Sequence, residues 1–334
     1  MLGSGLAFDV EVVRGAGAFV CGESTALMAS LEGRIGEPRP KDVHTVEEGL
    51  WGRPANLNNV ETWANVPGIL RNGASWFAAK GTQTSKGTKV FALTGRIRNT
   101  GLVEIAMGTP LRTILYDTGG GASNGTAIKA VQTGGPSGGC LPADKFDLPV
   151  DFETLDEAGS MVGSGGMVVM DERTCMVNVA RYFLGFLQEE SCGKCVPCRL
   201  GISRMREAVT DIAEGRGRPE QLGLLAELGE TMAETCLCAL GKTAPNPVLS
   251  TLRYFRDEYE AHIRDKTCPA GVCRELIRYE IDPDRCVGCG ACLRACPHQA
   301  VVGEAKKAHT IQAEVCVKCG ICRDTCKVDA VRIA

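Results

Sequence analysis

The 334-residue chain is poor in aromatic side chains, which make up 5% of it, and it has only 4 histidines. It lacks an apolar run of about 18 residues, so no membrane-spanning helix is expected. No basic block stands out and the net charge is −3, which argues against nucleic acid as a partner. No apolar signal sequence is visible, which disfavours a secreted fold stapled by disulfides. Against these scarcities stand 41 glycines and 18 cysteines. The glycines imply many tight turns and backbone brought close to cofactors. So many thiols outside a secreted chain suit a reducing cytoplasm.

Two ladders near the end read as one phrase written twice. Cys286-Val-Gly-Cys289-Gly-Ala-Cys292 leads to Cys296-Pro297, and Cys316-Val-Lys-Cys319-Gly-Ile-Cys322 leads to Cys326. This spacing wraps a pair of cubane [4Fe–4S] clusters, each held by three consecutive sulfurs and by the fourth sulfur of the other run. Two residues between sulfurs let the chain curl round three corners of a cube. Gly288, Gly290 and Gly320 let backbone N–H groups approach the inorganic sulfide. Cys286, Cys289, Cys292 and Cys326 are therefore assigned to one cluster, and Cys316, Cys319, Cys322 and Cys296 to the other. Zinc usually sits between separated cysteine pairs, not two four-cysteine ladders. An electron carrier is the reading.

A third ladder, Cys192-Gly-Lys-Cys195-Val-Pro-Cys198, has the same spacing but no local fourth thiol. Cys236 and Cys238 are the candidates, and chemistry alone does not choose between them. A four-cysteine zinc site is the alternative. Cys268 and Cys273 are used by no cubane, and His262 and His309 are the nearest uncommitted imidazoles in sequence. Two thiolates and two imidazoles would make a closed zinc site pinning the last module; two buried free cysteines are the competing reading.

Pattern changes divide the chain. Up to about residue 75, glycine turns alternate with short helices, one over Glu23–Leu31 with a Ser/Thr start and one from Glu61. Residues 86–170 read as short strands, such as Val90–Leu93 and Ile128–Val131, with one helix over Leu111–Leu115. Residues 175–264 shift to helical periodicity. Met205, Ala208, Val209 and Ile212 form one stripe, and Val248, Leu252, Phe255 and Tyr259 another, as in a bundle of three or four helices.

Five motifs in order now carry a family resemblance over essentially the whole chain: Gly15–Glu23, Leu57–Thr62, Gly134–Gly139, Ser191–Cys198 and Cys238–Gly241. They resemble the flavin-bearing, NADH-oxidising subunit of respiratory complex I. The continuation through Cys268–Cys273 into the last module is similar to the beta subunit of NAD(P)-dependent, often electron-bifurcating, [FeFe] hydrogenases and related formate dehydrogenases. The resemblance implies a multidomain α+β chain. Residues 1–80 would be the C-terminal part of an FMN/NADH-binding α/β domain, and 86–170 a ubiquitin-like β-grasp domain of the SLBB type. Residues 175–264 would be a helical bundle with one [4Fe–4S] cluster, and 268–334 a two-cluster ferredoxin-like domain.

The resemblance also selects Cys238 over Cys236 as the fourth ligand with Cys192, Cys195 and Cys198. It places Gly22, Glu23 and Ser24 against flavin and nicotinamide, and Asn58 and Asn59 against the FMN phosphate or ribityl chain. Read without it, the two asparagines are turn residues. Ser24 stands where a second glutamate is usual, which leaves NAD or NADP open. Met1–Val10 matches an internal segment of the family, so the chain is expected to carry only the second half of the flavin domain. The function implied is an NAD(P)-linked oxidoreductase subunit passing electrons between NAD(P)H, FMN and three [4Fe–4S] clusters. Its implied partners are a hydrogenase or formate dehydrogenase catalytic subunit, a small [2Fe–2S] subunit and ferredoxin. The rival is a flavin-free relay and docking subunit.

Overall fold

Residues 3–18 run without helix or strand and leave Leu6, Phe8, Val10 and Val12 exposed. The computed structural model describes residues 3–333; Met1, Leu2 and Ala334, including the start of the Met1–Val10 motif, lie outside the described residues. A 3-10 turn, Phe19–Gly22, leads into helix α1, Ser24–Leu31. Its cap is Glu23 in place of the expected serine or threonine. The Glu23 carboxylate accepts from the backbone N–H groups of Thr25 at 2.8 Å and Ala26 at 3.0 Å, neutralising donors that the first turn leaves open. Helix α2 (Val60–Asn72) is capped by Asn59, whose Oδ1 accepts from Thr62 N–H at 2.8 Å. The short α3 (Ala74–Ala78) follows.

The strand-rich region forms one five-stranded sheet. Its strands are β1 (Thr88–Gly95), β2 (Gly101–Ala106), β3 (Ile128–Thr133), β4 (Cys140–Pro142) and β5 (Gly166–Asp171), in spatial order β2-β1-β5-β3-β4. The central pair β1·β5 is parallel and the remaining pairs are antiparallel. In β1 the pleat sends Phe91 and Leu93 inward while Val90 is exposed. The inward face packs on the helical segment containing Leu111, Ile114 and Leu115 and on Leu155 of α4 (Phe152–Glu157). The helix expected over Leu111–Leu115 continues to Thr118 as a widened π turn.

Residues 176–260 form more helices than the three or four expected: α5 (Met176–Glu190), α6 (Val196–Ala213), α7 (Glu220–Thr235), α8 (Ala239–Thr243), α9 (Asn246–Tyr254) and α10 (Arg256–Glu260). Met205, Val209 and Ile212 of α6 are fully buried, as are Val248 and Tyr259, so the apolar stripes are packing faces. The end of this bundle grips the sheet. Ser250 Oγ accepts from Cys140 N–H at 2.9 Å, and Tyr254 donates to the Ala158 carbonyl at 2.9 Å. Asn246 donates to the carbonyl of Ser137, within the Gly134–Gly139 motif, at 3.2 Å.

Glu258 is the central polar tie. It is buried, accepts from Met176 N–H at 2.9 Å at the start of α5, and pairs with Lys129 of β3. Glu258→Ala would take the counter-charge from that ammonium, leaving it only the Thr174 carbonyl at 2.7 Å, and would leave the helix donor unpaired. A loss of about 3–5 kcal/mol is expected, seen as a lowered denaturant midpoint for the bundle.

The last region is a short repeat. Strand β6 (Tyr279–Ile281) pairs with β9 (Val331–Ile333), and β7 (Val301–Val302) with β8 (Thr310–Ile311). Helices α11 (Ala291–Ala295) and α12 (Ile321–Thr325) each begin inside a cysteine ladder. The buried centre is Cys292, Val301, Cys322 and Val331, two matching residues from each half.

Candidate functional site: cysteine cradles and a thiol–imidazole cluster

The crossover spacing becomes geometry in the repeat. Cys316, Cys319 and Cys322 line one cavity together with Cys296 from the other ladder. In the matching half, the Cys292 thiol is pushed up by burial and by the neighbouring sulfurs of Cys286 and Cys326. Backbone N–H groups point at the sulfurs: Ala300 to Cys296 and Ala330 to Cys326 at 3.3 Å, and Lys318 to Cys316 at 3.4 Å. Such donors stabilise thiolates that carry a cluster's negative charge, and the paired geometry fits two cubanes.

In the bundle, Cys192, Cys195, Cys198 and Cys238 line a common cavity between the start of α6 and the turn before α8. Cys236 does not line it. Its side chain lies against Gly241, where an added Cβ would come within 2.8 Å of the Cys236 Cβ and 3.1 Å of the Cys198 Cβ. The Cys236 sulfur still faces Cys195, and burial together with the neighbouring thiols pushes it up to about 12. Burial also raises Cys195, but hydrogen bonds from the Leu237 and Cys198 backbone outweigh it and hold that thiol below its usual range. The Ser191 hydroxyl sits 3.3 Å from the Cys198 sulfur. A cavity walled by four sulfurs and backbone donors fits a cubane.

A fourth group of ligands is buried between bundle and repeat. Cys175, His262, Cys268 and Cys273 place their ligand atoms within 4.8 Å of one another. His262 Nε2 is 3.4 Å from the Cys175 sulfur and 3.3 Å from the Cys273 sulfur. The other ring nitrogen, Nδ1, donates to the Glu258 carbonyl at 2.7 Å, which turns Nε2 toward the sulfurs. Burial pulls the imidazole down, but hydrogen bonding to Cys175 and Cys268 outweighs it, leaving the imidazole at about 10. Three thiols and one imidazole at this separation fit a tetrahedral metal ion.

His309 is not part of this group, which corrects the two-histidine set expected from sequence. Its ring lies over Gly303 within the repeat. The fourth ligand atom comes from Cys175 at the start of α5, 87 residues before His262. No spacing motif connects such distant residues. The available signal was an uncommitted cysteine at a helix start.

The residues expected to meet flavin make local structure. Glu23 caps its own helix and pairs with Lys41 at 3.1 Å. Asn59 caps α2, and Asn58 donates to Asn56 at 2.7 Å. Gly22 ends the 3-10 turn, and the Ser24 hydroxyl bonds to Glu23 at 3.2 Å. A neighbouring cleft is lined by Thr25, Arg39, Glu48 and Lys194.

Cysteine cradles built around a helical bundle and a two-fold repeat define an iron–sulfur electron-transfer protein. Three family descriptions match in order: Nuo51 FMN-binding domain over 3–68, NADH-ubiquinone oxidoreductase-F iron-sulfur binding region over 178–262, and 4Fe-4S dicluster domain over 279–333. The chain is 53% identical over 331 residues to the NADP-reducing hydrogenase subunit HndC of Solidesulfovibrio fructosivorans, covering 99% of this chain and 68% of that one. It is 41% identical to the F 2 subunit of NADH-quinone oxidoreductase from Rhizobium meliloti, covering 80% of this chain and 64% of the relative. A crystal structure of NAD+-reducing [NiFe]-hydrogenase in the H2-reduced state superposes with a TM-score of 0.69 at 37% identity, over 75% of this chain and 42% of that one. The chain belongs to the family of the NADP-reducing hydrogenase subunit HndC, and it is similar to F-type subunits of NADH-quinone oxidoreductase. It is an oxidoreductase electron-transfer subunit with FMN-binding, iron–sulfur and ferredoxin-like regions. Among the described residues no helix is long and apolar enough to cross a membrane.

Proposed function

We propose that the chain relays single electrons between an NAD(P)H–flavin site and a partner enzyme through three [4Fe–4S] clusters. The observation that carries this reading is the convergence of separated ladders on shared cavities. Cys192, Cys195, Cys198 and Cys238 would hold the bundle cluster. Cys286, Cys289, Cys292 and Cys326 would hold the second, and Cys316, Cys319, Cys322 and Cys296 the third. When bound, flavin divides a two-electron hydride into the single electrons that clusters accept. The chain's own part is to fix the sulfurs, supply N–H groups to them and keep water from Cys198, Cys292 and Cys322, all buried.

The likeness to HndC supports a hydrogenase-type assembly. Its catalytic partner would be a hydrogenase or formate dehydrogenase subunit, with a small [2Fe–2S] subunit and ferredoxin as further partners, in a reducing cytoplasm. Residues 1–80 would belong to the flavin domain, and 86–170, with its parallel central pair, to an SLBB-type β-grasp. The boundaries 175–264 and 268–334 divide bundle from ferredoxin module. Cys175, His262, Cys268 and Cys273 would hold zinc across that last junction. Anaerobic reductive titration of the reconstituted chain tests the relay. Uptake of about three electrons, one per cluster, is expected, and uptake near two would remove the bundle cluster.

The flavin-free relay remains the rival because Glu23, Asn58 and Asn59 are engaged locally. A flavin phosphate needs open N–H donors at a helix N-terminus, and Glu23 already takes those of α1. The 334-residue chain is therefore expected to bind FMN weakly when FMN is titrated into it. Tight stoichiometric binding with NADH-dependent bleaching would show that these groups rearrange to admit the flavin.

A further inference from the structure

The two halves of the ferredoxin-like repeat are offset by 30 residues, since Cys286 matches Cys316 and Gly290 matches Gly320. The same offset pairs Tyr279 with His309. Each ring reaches the glycine turn of one ladder. The Tyr279 hydroxyl lies 2.9 Å from where a Cβ on Gly320 would sit, and His309 Nε2 lies 4.0 Å from the corresponding point on Gly290. The strand opposite sets their burial. Ile333 stands across from Tyr279, whereas continuing the β7·β8 register puts Gly303 across from His309. With no side chain opposite, the imidazole folds down over Gly303, where an added Cβ would meet its ring at 2.6 Å. His309 is 2% exposed and its Nδ1 has no hydrogen-bond partner, while Tyr279 is only half-buried.

A buried N–H without an acceptor is rarer than a bare acceptor, so the imidazole proton belongs on Nε2, the nitrogen facing the Gly290 turn. A fixed N–H dipole beside a cluster stabilises its more negative, reduced state. Surface charge does not separate the two turns: Arg294 approaches the Gly290 turn and donates to the Cys289 carbonyl at 3.4 Å, while the other half places Lys318 and Arg323 beside Asp324, so the buried ring is the difference between them.

Building on the cluster assignment proposed above, we infer that His309 sets the two clusters apart in potential. The cluster held by Cys286, Cys289, Cys292 and Cys326 is the better electron acceptor, and its twin beneath Tyr279 is the better donor. His309 is thus a positioning residue that gives electron flow within the module a direction.

The test is an EPR-monitored redox titration of the full, anaerobically reconstituted chain and its variants. His309→Phe is expected to make reduction of one cluster about tenfold less favourable, about 59 mV for a one-electron couple, and to leave the other unmoved. His309→Tyr, which copies the twin position, should bring the two midpoints together without loss of iron. Tyr279→Phe should move the first midpoint little. Both midpoints unmoved in His309→Phe and His309→Tyr, or moved together, would overturn the inference while leaving the cluster assignment intact. Absence of two ferredoxin-type signals in the unsubstituted chain would overturn the assignment and this inference with it.

Discussion

Cys238→Ala is expected to remove the bundle cluster, taking iron from about twelve to about eight atoms per chain, whereas Cys236→Ala keeps all of it. The two thiols are two residues apart and both are buried. They differ in direction. Cys238 shares its cavity with Cys192, Cys195 and Cys198, while Cys236 is held against Gly241. A cubane needs four sulfurs at its corners, and losing one opens an iron to solvent and to loss. Iron quantification with EPR of the reduced variants checks this. Equal loss in both variants would mean that the turn before α8 is needed as a whole. Loss only in Cys236→Ala would reverse the assignment.

Cys175→Ala is expected to abolish zinc binding, while His309→Ala retains about one zinc per chain. Cys175 presents its sulfur to His262 and Cys273 in a buried site, and His309 stands elsewhere in the fold. With the imidazole at about 10 and the Cys273 thiol pushed up to about 12, zinc must displace protons to bind, so its affinity should rise with pH up to about 10 and less steeply beyond. Metal analysis of carefully purified, iron-loaded protein measures the zinc. Its absence from the unsubstituted chain would leave a buried thiol–imidazole hydrogen-bond cluster with no metal. The site joins the start of α5, the segment after α10 and the entry to the ferredoxin module, so its loss should also loosen that junction to proteolysis.

Much of this architecture is legible in the sequence wherever the chemistry is local. The ladders at 286–296 and 316–326 are legible because three sulfurs of each lie close together in the chain, and the structure brings Cys296 to the cavity of Cys316, Cys319 and Cys322. The helical stripes are legible because Met205, Val209 and Ile212 repeat at the period of the helix that buries them. What was not legible depends on tertiary closure. Cys175 meets Cys268 and Cys273 only after six helices have folded back on themselves. Strand β2, Gly101–Ala106, is an edge strand whose sequence carries little alternation, and its place is set by pairing with β1. Glu23, Asn58 and Asn59 illustrate the opposite case: their family roles concern a flavin, while the local chain employs them as helix caps and turn contacts. Choosing Cys238 over Cys236 from sequence required the family pattern, because both spacings allow a thiol to reach the ladder. The direction of the side chains supplies the physical difference.

The central claim is that the chain holds three cubanes. Iron and acid-labile sulfide quantification on the anaerobically reconstituted 334-residue protein tests it most directly. About twelve irons and a matching amount of sulfide are expected, four of each per cluster. A saturated value near eight would contradict the account by leaving the bundle cradle without a cluster.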